Sequence, residues 1–306
     1  MGSRNTARRR AATALVVAGG AALLSGCAAE GPALWQSFGL PAPGSDRSEA
    51  VGDFWVGSWI AALAVGVVVW GLMGYAGIRY RRRRNATGSD APRQSRYNLP
   101  MEILYTLTPL LVIGVLFVFT VQTQTQVLAG SWSGDQATAQ EQETEQTDRV
   151  VDVVGQKWQW TFNYRESLSQ PGGTDVYEIG TLNSSPDLYL PVGESVRFNL
   201  SSPDVIHSFW VPSFYFKMDV IPGKPNSFVM TPSTEGTYIG KCAELCGTYH
   251  AAMYFHVHVV SVEEYERHLA ELEAAGNVGT RYGSQTYVEP QLAPQGGEAA
   301  GEGEGE

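Results

Sequence analysis

Cysteine is scarce in this chain, and its scarcity limits what the chain can be. The 306 residues include three cysteines, Cys27, Cys242 and Cys246. Three are too few for the disulfide framework of a small secreted domain. The chain also lacks a Cys-x2-Cys-His sequence, so no covalently attached haem of the c type is implied.

Positive charge is sparse in the C-terminal part of the chain. From Val127 onwards, 9 Lys and Arg stand against 25 Asp and Glu, a balance of −16. Contacts to phosphate groups need cations, so this part should not bind nucleic acid. An acidic surface instead suits a cationic protein partner.

Residues 1–26 have the layout of a bacterial lipoprotein signal. Three arginines, Arg8 to Arg10, precede an apolar run that ends at Leu24, and small residues then lead to Cys27. The run is too short to span a bilayer comfortably, which favours a signal peptide. We expect cleavage before Cys27, lipidation of its thiol and an exported segment over residues 27–53. The alternative is an ordinary secretory signal with a chance cysteine.

Two further apolar runs, residues 54–78 and 99–121, are long enough to cross a membrane, since a spanning helix needs about 20 apolar residues. The linker between them, residues 79–98, contains seven arginines. Because arginine-rich loops stay in the cytoplasm, the chain on either side of this hairpin should lie outside. Glu102, at the start of the second run, either marks a proton path or reaches back to the interface.

The rest of the chain divides into segments of different composition and hydrophobic pattern. Residues 122–148 form a polar linker, and residues 149–260 contain short alternating apolar runs separated by turn residues. Such runs predict an all-β sandwich or barrel. An amphipathic helix is expected over residues 261–276, with Ser261 as its N-cap. The acidic, low-complexity residues 277–306 should be disordered.

Four potential metal ligands fall within twelve residues: Cys242, Cys246, His250 and Met253. A fifth, His207, lies in a predicted loop between two strands. Thiolate and thioether groups are soft ligands that favour copper. One His, one Cys and one Met would indicate a single blue copper, whereas the second cysteine allows two coppers to share both sulfur atoms.

Each residue also has an ordinary structural interpretation. The two cysteines could form a disulfide, His207 could be a buried structural histidine, and Met253 could fill the core. Their joint occurrence at this spacing favours the metal site. His256, His258 and His268 lack such a context, and we expect the first two to be structural or exposed.

The motif Cys242-x3-Cys246-x3-His250-x2-Met253, with Asp-Val-Ile-His207 upstream, resembles the cytochrome c oxidase subunit II family. The resemblance implies a cupredoxin-like Greek-key domain in which both cysteines bridge two coppers and His207, His250 and Met253 complete the site. It also implies that Glu244 gives its backbone carbonyl to copper. The side chain of Glu244 would reach a magnesium or manganese ion at the interface with subunit I.

Two other segments carry the same resemblance. Gly155 to Trp160 is similar to the family's aromatic motif, which makes Trp158 the residue through which electrons enter; the alternative is a core aromatic. Glu102-x2-Tyr105-Thr106-x2-Pro109 places Glu102 at the mouth of a proton channel.

The chain departs from its relatives in several positions. Relatives often have His at the position of Gln156 and Trp at that of Tyr105, and some have an acidic residue at that of Asn163. We therefore keep Asp204 as the acidic candidate for docking a donor.

The resemblance implies a respiratory enzyme of the bacterial cell membrane. Cytochrome c, or a membrane-bound c-type cytochrome, would donate electrons, which pass to haem in subunit I. Oxygen becomes water there, with proton pumping, and subunit III and the lipid bilayer are further partners. Quinol oxidase subunit II is disfavoured because it lacks the cysteine pair. A copper-binding or copper-delivery lipoprotein needs neither two spans nor Glu102, and nitrous-oxide reductase has a large catalytic domain that does not fit in this chain.

Overall fold

The computed structural model describes residues 37–81, 95–133, 147–181 and 183–282. The chain divides into two compact units. One contains residues 51–121, and the other contains residues 43–50 and the chain after residue 121. The predicted signal peptide, Cys27 and the chain beyond residue 282 lie outside the described residues.

Two long apolar helices, α1 (Asp46–Arg79) and α2 (Leu99–Val127), match the predicted spans. Helix α1 begins before the apolar run, with Asp46 and Glu49 in its first turn. Acidic groups at this end stabilise a helix through their interaction with its dipole. No residue of α2 is buried, and Ser48 is the buried residue of α1. Exposed apolar side chains on helices of this length fit helices that cross a membrane.

Among the remaining described residues are eleven β-strands, two further α-helices and two short 3-10 helices. The strands are β1 (Trp132–Ser133), β2 (Arg149–Gln156), β3 (Gln159–Tyr164), β4 (Val176–Ile179), β5 (Asp187–Pro191), β6 (Val196–Ser201), β7 (His207–Val211), β8 (Phe216–Val220), β9 (Asn226–Met230), β10 (Gly236–Cys242) and β11 (Tyr254–Val260). The helices are α3 (Glu166–Ser169) and α4 (Val262–Ala274). Strand β1 lies inside the predicted polar linker, where it pairs with β9.

These strands form two sheets, ordered β1-β9-β6-β2-β3-β4 and β5-β11-β10-β7-β8. Most neighbours are antiparallel, but β2 pairs with β6, and β5 with β11, in parallel. One aromatic core joins the sheets, since the Trp160 ring lies 5.4 Å from that of Phe255 and 5.9 Å from that of Phe209. The predicted all-β sandwich is confirmed.

The C-terminal helix predicted from residue 261 is also confirmed. The Ser261 hydroxyl accepts a hydrogen bond from the Glu264 backbone N–H at 3.2 Å, as an N-cap does. Tyr265, Leu269 and Leu272 are buried on one face of α4. Their spacing is that of an amphipathic helix lying on a domain core.

Candidate metal centre

The candidate ligands gather at one end of the five-stranded sheet. Cys242 is the last residue of β10, opposite Phe209 of β7, and His207 is the first residue of β7. Because β7 and β10 are antiparallel, the start of one strand meets the end of the other. The loop after Cys242 returns to β11 at Met253 and brings Cys246 and His250 to the same place.

The ligand atoms form a continuous series of contacts. The Cys242 Sγ lies 3.9 Å from the His207 Nδ1 and 3.9 Å from the Cys246 Sγ. The Cys246 Sγ lies 3.6 Å from the His250 Nδ1 and 3.7 Å from the Met253 Sδ. The structure thus brings together all five residues predicted as side-chain ligands.

The two cysteines are free thiols. Their sulfur separation of 3.9 Å is nearly twice the S–S bond length of about 2.05 Å. The disulfide alternative is therefore not the arrangement in this structure. Both thiols are buried, and Met253 is 1% exposed.

The two thiols cannot both ionise easily. Burial raises the pKa of Cys242, but hydrogen bonds from His207 and nearby backbone groups outweigh burial and bring that pKa to about 7. Burial and the charge of Cys242 together raise the pKa of Cys246 to about 12. A bound cation would remove this repulsion and favour two thiolates, since metals bind the deprotonated form.

The donor set fits copper. Among the described residues, His207, Cys242 and Cys246 form a buried group whose ligand atoms lie within 4.8 Å of one another. Two thiol sulfurs, two imidazoles and a thioether are soft or borderline donors. Such donors favour copper, whereas magnesium and calcium favour oxygen ligands.

Glu244 has one contact that bears on its predicted roles. Its backbone carbonyl oxygen lies 3.1 Å from the Cys242 Sγ, so it borders the centre. Its side chain is exposed. The predicted magnesium or manganese ion on that side chain stays a prediction.

Trp158 lies beside the ligand loop, half-buried. Its indole N–H donates to the Cys246 backbone carbonyl at 3.2 Å, and its ring meets the Tyr249 ring edge-on at 5.0 Å. Gly247 makes this approach possible, because a Cβ there would come within 3.1 Å of the indole nitrogen. Sequence reasoning missed Gly247, although its place directly after Cys246 was a signal.

Asp204 has a role that the sequence did not suggest. Its carboxylate accepts hydrogen bonds from the Lys157 N–H at 2.7 Å and the Val205 N–H at 2.6 Å, and lies 3.0 Å from the His207 Nε2. Burial raises its pKa, but the His207 contact and the two backbone N–H groups outweigh burial and lower it to about 2. The carboxylate therefore orients His207 so that Nδ1 faces the thiols. Docking of a donor at Asp204 remains a prediction.

Two residues behind the centre were also missed. The Trp160 indole N–H donates to the Met253 backbone carbonyl at 3.5 Å, and its ring lies 6.2 Å from His207. Gly155 leaves room for both, since a Cβ there would lie 3.0 Å from Trp160 and 3.2 Å from His207. From the sequence, the Gly155–Trp160 motif points to Trp158 alone.

The other predicted residues lie away from this loop. Glu102 is in the first turn of α2, where its carboxylate accepts a hydrogen bond from the Asn98 N–H at 3.0 Å. This contact supports the helix start and tests neither predicted role of Glu102. Asn163, one of the departures, is 1% exposed, and its amide donates to the Arg281 carbonyl.

Comparison with known proteins gives a consistent result. The profile of the family described as "Cytochrome C oxidase subunit II, periplasmic domain" matches residues 149–260. The probable cytochrome c oxidase subunit 2 of Streptomyces avermitilis is 42% identical, over 79% of this chain and 81% of that protein. The protein of the same description from Streptomyces coelicolor is 39% identical, over 90% of this chain and 91% of that protein.

Among solved structures, the periplasmic domain of subunit II of the cytochrome oxidase of Bradyrhizobium japonicum is similar. It is 26% identical, with a TM-score of 0.38, over 42% of this chain and 96% of that domain. The identity to the Streptomyces proteins over most of their length is the stronger finding. On that identity, the chain belongs to the cytochrome c oxidase subunit II family, whose members are subunits of an oxidoreductase.

Proposed function

We propose that the chain is the electron-relay subunit of a respiratory cytochrome c oxidase and that its metal centre holds two coppers. The observation that carries this proposal is the continuous contact series from His207 through both thiols to His250 and Met253, with gaps of 3.6 to 3.9 Å. When bound, the two coppers would supply a one-electron carrier. Cys242 and Cys246, at the middle of the series, would hold both ions.

The outer ligands hold the ends of the centre. The His207 Nδ1, the His250 Nδ1 and the Met253 Sδ each lie against one of the two sulfurs. The Glu244 carbonyl oxygen borders Cys242 and would be a further ligand. Asp204 and the surrounding core hold the buried ring of His207, and ligands fixed by hydrogen bonds and packing give a precise site.

Trp158 is the residue through which electrons enter. Its indole N–H bonds directly to the Cys246 backbone, and its ring is half-buried, so a docked donor can contact it. The donor is cytochrome c or a membrane-bound c-type cytochrome. A cationic donor suits this acidic part of the chain, and Asp204, whose side chain is 28% exposed, contributes to docking.

The remaining assignments complete the enzyme. Electrons leave to haem in subunit I, where oxygen is reduced to water with proton translocation, and subunit III completes the partners. Glu102 lies at the mouth of a proton channel, and the exposed Glu244 side chain binds magnesium or manganese at the subunit I interface. The apolar runs 54–78 and 99–121 cross the cell membrane, with the 149–260 domain outside and Cys27 as a lipid anchor.

The test is to reconstitute the full chain with copper in detergent and record its absorption and EPR spectra. We expect a purple protein with two coppers per chain and one unpaired electron shared between them. Cys246→Ser should abolish that signal, because it removes one bridging sulfur. Cys27→Ser is the matched control and should keep it.

Two results would overturn the proposal. One is a single blue copper per chain. The other is a chain that takes up no copper during reconstitution with reductant and stays colourless. On later oxidation, that chain would form a Cys242–Cys246 disulfide.

A further inference from the structure

Tyr249 contacts Trp158 and has no part in the electron-relay proposal. It directly precedes His250 in the ligand loop and is 49% exposed. Its ring meets the Trp158 ring edge-on, with the centroids 5.0 Å apart and the planes at 80° to each other. Aromatic rings favour edge-to-face contact at this separation. The contact therefore favours one orientation of the Trp158 ring.

The other contacts of Trp158 with the ligand loop do not fix this orientation. Trp158 lies in the turn between β2 and β3, and its indole N–H donates to the Cys246 carbonyl at 3.2 Å. Gly247, beside the indole nitrogen, has no side chain that could press on the ring. One hydrogen bond holds the nitrogen but lets the ring swing about it. The Tyr249 ring supplies a second point of contact.

The backbone around Tyr249 is held in place. The His250 N–H donates to the Gly247 carbonyl at 3.1 Å, and the Ala252 N–H donates to the Tyr249 carbonyl at 2.9 Å. A 3-10 helix, His250–Ala252, then leads to Met253. Tyr249 thus stands on a short, hydrogen-bonded segment that also carries two of the candidate ligands. Its contact with Trp158 is between rings, so a phenylalanine ring should serve as well.

We propose that Tyr249 is a positioning residue for electron entry, which holds the Trp158 ring in the orientation that passes electrons from a docked donor to the metal centre. The inference rests on the proposed entry of electrons at Trp158. A ring that swings freely spends less time in the productive orientation. Loss of the Tyr249 ring should therefore slow electron transfer within the docked complex more than it weakens docking.

The first test needs no copper. The full chain is prepared in detergent with fluorotryptophan in place of tryptophan, and fluorine NMR spectra are recorded. The Trp158 signal is the one that Trp158→Phe removes. Tyr249→Leu should shift and broaden this signal, because the indole has lost its edge contact, and Tyr249→Phe should preserve it. Unchanged signals from the other tryptophans will show that the variants fold.

Tyr254 provides the matched control. It is 44% exposed and follows Met253, so it is also an exposed tyrosine beside a candidate ligand. Tyr254→Leu should leave the Trp158 signal unchanged.

The second test measures reduction of the copper-loaded chain by ferrocytochrome c in stopped flow, over a range of donor concentrations. Tyr249→Leu should lower the limiting rate about tenfold while the two-copper EPR spectrum stays intact. The donor concentration that gives half the limiting rate should change less than about twofold, because docking is retained. Tyr249→Phe and Tyr254→Leu should both reduce at the wild-type rate.

An unshifted Trp158 signal or an unchanged limiting rate in Tyr249→Leu would overturn the inference, as would equal effects of Tyr249→Leu and Tyr254→Leu. Trp158→Phe separates this failure from failure of the proposed function. If Trp158→Phe slows reduction and Tyr249→Leu does not, the positioning role of Tyr249 alone is wrong. If neither variant slows reduction, electrons do not enter at Trp158, and both proposals fail.

Discussion

Gly247 combines two constraints in one residue. Its φ of +120° lies in a region that L-residues rarely adopt, and a Cβ would press against the Trp158 indole nitrogen at 3.1 Å. We predict that Gly247→Ala lowers the free energy of unfolding by about 1–2 kcal/mol through backbone strain. It should also displace Trp158, changing its fluorescence and slowing reduction of the copper-loaded chain by a c-type cytochrome.

Gly193 provides the matched control for this prediction. Its φ is +80°, but nothing lies within 4 Å of a Cβ built there. Gly193→Ala should lower stability for the same backbone reason and leave Trp158 fluorescence and the reduction rate unchanged. If both variants slowed reduction equally, contact with Trp158 would not be the cause.

Asp175 links stability to pH. Burial raises the pKa of its carboxyl, but hydrogen bonds from Ser167 and Arg165 outweigh burial and lower it below the usual value. Because the folded pKa is depressed, the contribution is present above the unfolded pKa of about 4 and is lost as pH falls through the folded pKa.

Asp175→Asn should therefore lower the free energy of unfolding by about 1 kcal/mol at pH 7. The difference from the wild type should shrink steadily below about pH 4, where the wild-type carboxyl also becomes protonated. Thermal unfolding of both proteins across this pH range measures it. A difference that stayed constant with pH would contradict the assignment.

At this scale the sequence predicted which residues gather at the candidate metal centre better than it predicted the residues that support them. The residues from Cys242 to Met253 are close in the chain, so their spacing alone indicated a metal. The contact of Asp204 with His207 joins residues three positions apart, but the hydrogen bond from the Lys157 N–H to Asp204 spans 47 residues. Gly155 and Gly247 are constrained by side chains that only the folded sheets bring to them.

Arg149 joins three elements. Its guanidinium contacts Glu166 of α3 at 2.8 Å, Glu194 at 2.7 Å and Glu266 of α4 at 2.6 Å, and it lies over the Tyr265 ring. Its side chain is 5% exposed and that of Glu166 is 7% exposed. Removing one partner of a buried ion pair leaves the other charge without compensation.

Arg149→Met should consequently lower the free energy of unfolding by about 3–5 kcal/mol. Arg267→Met is the comparison, because Arg267 pairs with Glu264 on the exposed face of α4 at 3.4 Å. Exposed pairs are worth little, so we expect a loss below about 1 kcal/mol there. Denaturant unfolding in detergent measures both, and similar losses would show that the Arg149 network does not tie these elements together.

Elements with a strong local pattern were predictable. Helix α4 has an N-cap and an apolar stripe, and the strands after Arg149 are short apolar runs separated by turn residues. Strand β1 has two residues and no pattern of its own, and it exists because β9 offers it a partner. The parallel pairing of β5 with β11 joins segments about 70 residues apart, and no local signal records it.

Charge is segregated along the whole molecule. Seven arginines lie in residues 79–98, and the part from Val127 onwards has a balance of −16. Short loops rich in Lys and Arg stay in the cytoplasm, so this distribution sets the orientation of both helices. Ser95, at the end of the arginine-rich linker, and Glu235, in the β-sheet domain, are both exposed and can report the two sides.

We predict opposite labelling of these two positions in whole cells. In a chain with Cys27→Ser, a cysteine placed by Glu235→Cys should react with a membrane-impermeant maleimide added outside. One placed by Ser95→Cys should react only after the membrane is opened, because the linker lies inside. Reaction of Ser95→Cys in intact cells would show that the orientation is the reverse of the one predicted, with the metal centre on the cytoplasmic side. An exported cytochrome could not reach Trp158 there, so this one measurement also decides whether electrons can enter from outside the cell.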